Sequence, residues 1–493
     1  MTARAAGRVG LALGALVVAV PFFAATTFIG DDHLFLAFAR HAPQPFVPLY
    51  ADQHGGEYYR PLPMFVWWCL GRAGWGSAPF AALALALHAA AAALVAALLA
   101  ALGRPRAVAL TAGALMLLAP QNLEAAYWFS ASTDLFATVF VLGSLLALVR
   151  ERWLLAALLA LAAYLSKESA LVLPLLALVL YRAPWRRRLG AVAPQVALAF
   201  VVLAVRRLVL HGPGGSGDLR ADQAARALQM VSGVVHVFTG SALLPEVLAF
   251  GLGTAALALA VLASIRRREA RLLPWLFSGL ALLPLAAAGW VVGARYFYLP
   301  AVGIVWAVAE AIDGTGAATR NAVLAALLLL GLGQAALRRR DVASYDLRVA
   351  AARRAVEAGV GAGHRQFHID GGIKDLDLAV KEDPALGEAA AEILVLNDVP
   401  ASFAIVPHAL EGPASIVVAA PPIPPSGGYH FGDVRVVGLA RRGDEPTLDE
   451  VLARFPDLRF IRLRPTPGGR IVARDLTLEV KQRLDGAGLD GQN

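Results

Sequence analysis

Charge and cysteine are scarce in this chain: only 16% of its 493 residues are charged, and a single cysteine, Cys69, is present. One thiol excludes any intramolecular disulfide, so packing must hold the fold, and Cys69 reads as a small apolar filler. Also missing are a Walker loop, a dinucleotide fingerprint, zinc-type Cys/His spacing and a nucleophile elbow. Their absence argues against a nucleotide-driven pump.

What the chain has instead is apolar surface. It is 58% hydrophobic with a mean hydropathy of +0.61, which predicts an integral membrane protein. The net charge is +8 with a pI near 9.9. The arginines fall in short clusters between apolar runs, so they report topology under the positive-inside rule rather than a nucleic-acid partner. Residues 1–30 have a basic start and an apolar run, which fits either an uncleaved first span, the preferred reading, or a signal peptide.

Hydropathy and charge bias place about eleven spans, near 10–29, 78–102, 107–120, 133–149, 153–165, 170–182, 190–210, 247–265, 272–290, 299–312 and 320–337. If the arginine clusters at 104–106, 150–152, 182–188 and 266–271 are cytoplasmic, each interval between them is a hairpin. The loop 31–77, the turns "PQNLEAAYWFSAST" and "LSKESAL", and "GARYFYLP" then share the outer face. The expected organisation is a helical membrane domain over 1–340 and a soluble extracytoplasmic α/β domain over 341–493. That second domain has helix-period stretches at 341–358 and 374–382, and strands in "SIVVAA", "DVRVVGLA", "RFIRLRP" and "RIVARDLTLEV".

Five stretches carry polar chemistry. Asp31 and Asp32 open a helix-like run and read either as a cap favoured by the helix dipole or as a general base, alone or with a metal. His33 beside them reads as a hydrogen-bonded bystander. "GGEYYRPLPMFVWW" sets Tyr59 and Arg60 in an aromatic belt, an interfacial anchor or a phosphate site, with Pro61 and Pro63 expected to break and reorient the loop helix. Asp134, with Glu124 upstream, is a helix cap or an acid facing a cavity. Lys167 and Glu168 form either a structural ion pair within their hairpin, or a phosphate-binding lysine beside a glutamate that orients it or an arginine. Arg295, with Tyr296, snorkels or joins the other cations. The convergence of Arg60, Lys167 and Arg295 on the face that holds the acids depends on topology and not on any one motif.

Taken in order, "GDDHLF", "YYRPLP", "FSASTDLFA", "LSKESALVLP" and "ARYFYLPAVG" resemble the GT-C superfamily of membrane glycosyltransferases, which use polyprenyl-phosphate sugars. The likeness is to the protein O-mannosyltransferase-like branch, including the transmembrane and tetratricopeptide-repeat mannosyltransferases, and it covers most of residues 28–303. Residues 341–493 lack the tetratricopeptide pattern.

The resemblance implies inverting transfer of a hexose, mannose first among candidates, from a polyprenyl phosphate to a glycan, lipid or protein hydroxyl at the outer face of the inner membrane. It implies Asp31 and Asp32 as catalytic base or metal site, compatible with Mg or Mn. Arg60, Lys167 and Arg295 would bind the donor phosphate, with Tyr59, Asp134, Glu168 and Tyr296 supporting them. Two other readings stay open: a lipid-linked-sugar flippase or transporter, and a non-catalytic polysaccharide assembly protein.

Overall fold

The computed structural model describes residues 27–29, 32–33, 35–36, 39, 42–50, 58–73, 76–211, 230–231, 233–238, 246–266, 272–286, 294–313, 315–370, 394–397, 403–405, 416–418, 457–466 and 470–478. These residues are mainly helical. The chain divides into two compact units: one comprises residues 1–26, 42–53 and 57–340, the other residues 27–41, 54–56 and 341–493.

In the first unit the helices are α1 (Val47–Tyr50), α2 (Pro61–Arg72), α3 (Ala78–Ala101), α4 (Arg106–Leu118), α5 (Asn122–Tyr127), α6 (Ser132–Val149), α7 (Trp153–Tyr164), α8 (Leu173–Leu180), α9 (Trp185–Val209), α10 (Glu246–Arg266), α11 (Leu272–Ala286) and α12 (Tyr298–Asp313). A further helix, α13 (Ala317–Gly361), has residues in both units.

Ten of the eleven expected intervals hold one of these helices, and the first, 10–29, falls almost wholly outside the described residues. Among the described residues, five helical stretches are long and apolar enough to cross a membrane: Ala78–Ala101, Phe129–Val149, Trp185–Val209, Arg295–Asp313 and Ala317–Gly361. α4, α7, α8 and α11 are shorter apolar helices.

Burial separates centre from periphery. In the apolar window of Phe129–Val149, 78% of residues are buried, against 22% for Trp185–Val209, so α6 lies inside the bundle and α9 on its outside. α6 packs against α3 and α7, and α12 packs against α4 and α11. On α7 and α9, Leu154, Leu158, Phe200, Val201 and Leu208 point outward, the apolar exterior expected of a lipid-facing surface.

Small residues and one histidine fix the central crossings. At Gly303 an added Cβ would lie 2.2 Å from the Pro274 carbonyl oxygen and 2.3 Å from Ser278 Oγ, so only glycine lets α12 approach α11 this closely. The Ser278 hydroxyl donates to the Pro300 carbonyl at 2.8 Å across the same crossing. His88 of α3 lies wholly buried, with Nε2 3.1 Å from the Leu117 carbonyl and Nδ1 2.7 Å from the Tyr298 hydroxyl. A carbonyl can only accept, so Nε2 carries the proton and neutral Nδ1 accepts from Tyr298. The histidine thereby satisfies one of the orphan carbonyls at the end of α4.

Two expectations fail in the first loop. Pro61 and Pro63 do not break the loop helix; they begin it, since proline at the first helical turn has no N–H to lose and a φ already set for helix. Trp67 of the same stretch lies inside. It is buried against Phe80, with ring centroids 4.6 Å apart, and its Nε1 donates to Ser132 Oγ at 3.4 Å. Cys69, read as a filler, is exposed on α2.

Among its described residues, the second unit contains the C-terminal half of α13 and six strands: β1 (Gln366–Asp370), β2 (Leu394–Asn397), β3 (Phe403–Ile405), β4 (Ile416–Val418), β5 (Arg459–Pro465) and β6 (Ile471–Asp475). Four of them form a sheet in the order β2-β1-β5-β6, parallel except for the antiparallel β5–β6 pair, while β3 and β4 pair separately. Val349, Ala352 and Val356 of α13 pack on Phe367, Ile369, Ile461 and Leu463 from one face of that sheet. "SIVVAA" holds β4, "RFIRLRP" is β5 and "RIVARDLTLEV" opens with β6. The stretches 374–382 and "DVRVVGLA" lie outside the described residues.

Candidate functional site: a cluster of paired cations

The cluster is assembled from segments far apart in sequence. Residues 165–172 turn between α7 and α8: Lys167 adopts extended backbone, and a single 3-10 turn, Glu168–Val172, follows. That extended residue sends two adjacent side chains to different partners. The loop carrying Arg60 is tied to this hairpin where the Leu62 N–H donates to the Leu165 carbonyl at 3.1 Å.

Glu168 is the hub of one half. Its Oε2 accepts from Arg60 at 3.2 Å through Nη2 and 3.4 Å through Nε, while Oε1 accepts from Arg206 of α9. Arg60 also stacks on Tyr58, its guanidinium carbon 4.2 Å from the ring centroid. Burial alone would raise the Glu168 pKa, but Arg60 and then Arg206 overcome it and hold the carboxyl at about 2. Burial likewise works against the Arg60 cation, and the Glu168 carboxylate outweighs it, so its pKa ends above the ordinary arginine value.

Lys167 anchors the other half. Its Nζ donates to Asp134 Oδ2 at 2.6 Å, and the two side chains are only 5% and 6% exposed. The Tyr296 ring lies 4.3 Å from the same ammonium and 5.0 Å from the Arg295 guanidinium carbon, so one ring separates two cations. Arg295 covers Trp128 at 4.0 Å and faces Glu124 at 3.6 Å. The Lys167 pKa is lowered, first by burial and also by the nearby Arg60 charge, with Asp134 and Tyr296 opposing the shift. Four cations therefore share one site, each held by a carboxylate.

The geometry gives each of these side chains a partner. The Lys167–Glu168 ion pair within the hairpin does not form. Glu168 instead orients two arginines. Asp134 makes no cap hydrogen bond at the start of α6 and acts as the lysine's partner. Tyr59 is buried and donates to the Leu49 carbonyl at 3.1 Å, which anchors the loop.

Against protein-family models and against curated proteins, the sequence finds no match.

Arg206, Trp128 and Tyr58 were not singled out by the sequence reading. Arg206 carried a signal, since an arginine in the last turn of an apolar 25-residue helix is costly in a membrane and usually has work to do. Lys167 carried another: of four lysines in the sequence it is the only one before residue 374, in a chain whose other basic residues there are arginines.

Asp31 lies outside the described residues. Asp32, in the second unit, is buried; its Oδ2 accepts from the Ile29 N–H at 3.1 Å while its own N–H donates to the Ile29 carbonyl at 3.1 Å. An acid three residues into a turn reaching back to the first N–H is half of a capping box. His33 stacks on Tyr345 of α13, ring centroids 6.1 Å apart. Among the described residues, no group of three or more His, Cys, Asp or Glu gathers to hold a metal ion.

Proposed function

We propose that this chain is a multi-pass membrane glycosyltransferase of the GT-C kind. It transfers a hexose, with mannose the first candidate, from a polyprenyl phosphate to an acceptor hydroxyl at the extracytoplasmic face of the inner membrane. The observation that carries the reading is the cation cluster: Arg60, Lys167, Arg206 and Arg295 come from four separate segments and meet around Glu168, Asp134 and Tyr296. A polyprenyl phosphate presents such a site with an anion at the membrane boundary, and planar guanidinium forks suit phosphate oxygens.

In the reaction, the acceptor oxygen bonds to the anomeric carbon from the side opposite the phosphate. The carbon–oxygen bond to the phosphate breaks, and its electron pair leaves with the polyprenyl phosphate. Lys167, Arg60 and Arg295 stabilise the charge that develops there, with Arg206 and Glu168 fixing the orientation of Arg60. The acceptor proton goes to the acid pair, Asp31 and Asp32, by the family resemblance. Since one oxygen of Asp32 is committed to the Ile29 N–H, Asp31 is the first choice as base.

The test is label transfer from polyprenyl-phosphate mannose and from the glucose donor, in membranes carrying wild type or the Asp31→Asn, Asp32→Asn double variant. Positioned bases contribute about 10² to 10⁴-fold in rate, so the variant should bind donor and lose turnover. Equal transfer by both proteins removes the acids from the chemistry. No transfer by either, with lipid flipping intact, moves the transporter reading ahead.

A further inference from the structure

A second set of basic residues in the first unit has the opposite character to the paired cluster. The α6–α7 connection reads "RERW" (150–153) and the α8–α9 connection reads "RAPWRRR" (182–188), each delivering a tryptophan as the first residue of the next helix, Trp153 of α7 and Trp185 of α9. The two connections lie side by side, because Arg187 Nη2 pairs with Glu151 at 3.1 Å and its guanidinium carbon lies 5.8 Å from the Trp153 ring centroid.

Six arginines, 150, 152, 182, 186, 187 and 188, stand there against one acid, Glu151. Arg188 is spent on the Leu178 and Ala183 carbonyls. Among the described residues, no carboxylate pairs with Arg150, Arg152, Arg182 or Arg186, and all four are exposed. Trp153 and Trp185 are exposed too, and next to them along the helices stand the outward Leu154, Leu155, Leu158 and Leu189. Charge, then tryptophan, then leucine follow in the order in which headgroup, interface and acyl chain follow in a lipid leaflet.

We infer that this patch is a binding surface for anionic phospholipid, with the phosphodiester on the arginines of both connections and the acyl chain along α7. The occupant is a lipid and not free phosphate, because the apolar strip continues directly from the cations. Guanidinium forks exposed and uncommitted are suited to phosphate oxygens, and basic residues at a membrane surface draw anionic lipid.

The experiment is native mass spectrometry of the purified full chain titrated with phosphatidylglycerol, phosphatidylcholine or inorganic phosphate. Wild type should bind phosphatidylglycerol at least tenfold more tightly than phosphatidylcholine and show no saturable phosphate adduct. The triple variant Arg150→Gln, Arg152→Gln, Arg186→Gln should lose that preference, by about a hundredfold in affinity if each arginine acts at full near-surface strength. Arg339→Gln with Arg340→Gln, exposed basic residues of α13, should leave it intact. Equal affinity for the two lipids in wild type overturns the inference, and this needs no variant to fold. So does loss of the preference in the α13 control, which would make it a diffuse charge effect, or a phosphate adduct as tight as the lipid.

Discussion

Replacing Glu168 with glutamine keeps the side chain's shape and removes the one charge shared by Arg60 and Arg206. The carboxyl titrates at about 2 instead of 4.5, and at about 1.4 kcal/mol per unit this amounts to roughly 3 kcal/mol in favour of the ionised form. Removing one partner of a buried pair costs about 3 to 5 kcal/mol, because the other charge stays behind. The Glu168 side chain is 28% exposed, so water offsets part of that cost, and the expected loss of stability is about 2 to 3 kcal/mol.

The assay is unfolding of the full chain in mild detergent, followed by tryptophan fluorescence, for Glu168→Gln, Arg206→Gln and the double variant. The double variant should lose less than the sum of the singles by about 1 kcal/mol or more, since the two groups act on each other. The pH dependence has a definite sign. A depressed carboxyl pKa contributes stability above its unfolded value, near 4.5, and loses it as pH falls towards 2, so Glu168→Gln should be flatter than wild type in that window. An unchanged midpoint together with additive single effects would refute the account of Glu168 as hub.

Two further outcomes follow from single residues. Burial and Arg60 lower the Lys167 pKa, so as pH rises the cation should be lost below the ordinary lysine range, about 10.4, and under the proposed function sugar transfer should fall with it; Lys167→Arg, which does not titrate there, should carry that alkaline limb upward, and an unmoved limb would show that Lys167 does not set it. Gly303→Ala forces α11 and α12 apart at the Pro274 carbonyl and should cost about 1 to 3 kcal/mol, read from the same unfolding midpoint; a variant as stable as wild type would mean the crossing has slack.

The helices were legible because an apolar run in this chain ends where arginines begin, as at Arg104, Arg150 and Arg182. Their partners were not, for reasons that depend on backbone direction. Lys167 and Glu168 are neighbours in sequence, and only the extended backbone at Lys167 explains why one meets α6 and the other meets α2's cap and α9. Pro61 could be read as a breaker or a starter from sequence alone, and the absence of an N–H donor is harmless only at a helix start. Strand β1, "QFHID", is hard to see in the sequence because five residues alternating polar and apolar are a weak signal beside a 45-residue helix. Hydropathy alone does not mark Arg206, since its helix is apolar enough to cross a membrane with the arginine included; the signal is the cost of a charge within such a helix.

The length of α7 has a consequence for the membrane itself. Its 12 residues rise about 18 Å, whereas the hydrocarbon layer is about 30 Å thick. If Arg152 and Trp153 sit at headgroup level on one side, as the lipid-binding proposal has it, the Lys167 hairpin would stop short of the headgroups on the other. In that placement the bilayer would thin locally or admit water there, at a cost of fractions of a kcal/mol for each ångström of mismatch. The protein would then carry its own dimple in the lipid, and a phosphate on a long isoprenoid tail could reach Lys167 by moving along the leaflet, without rising out of it.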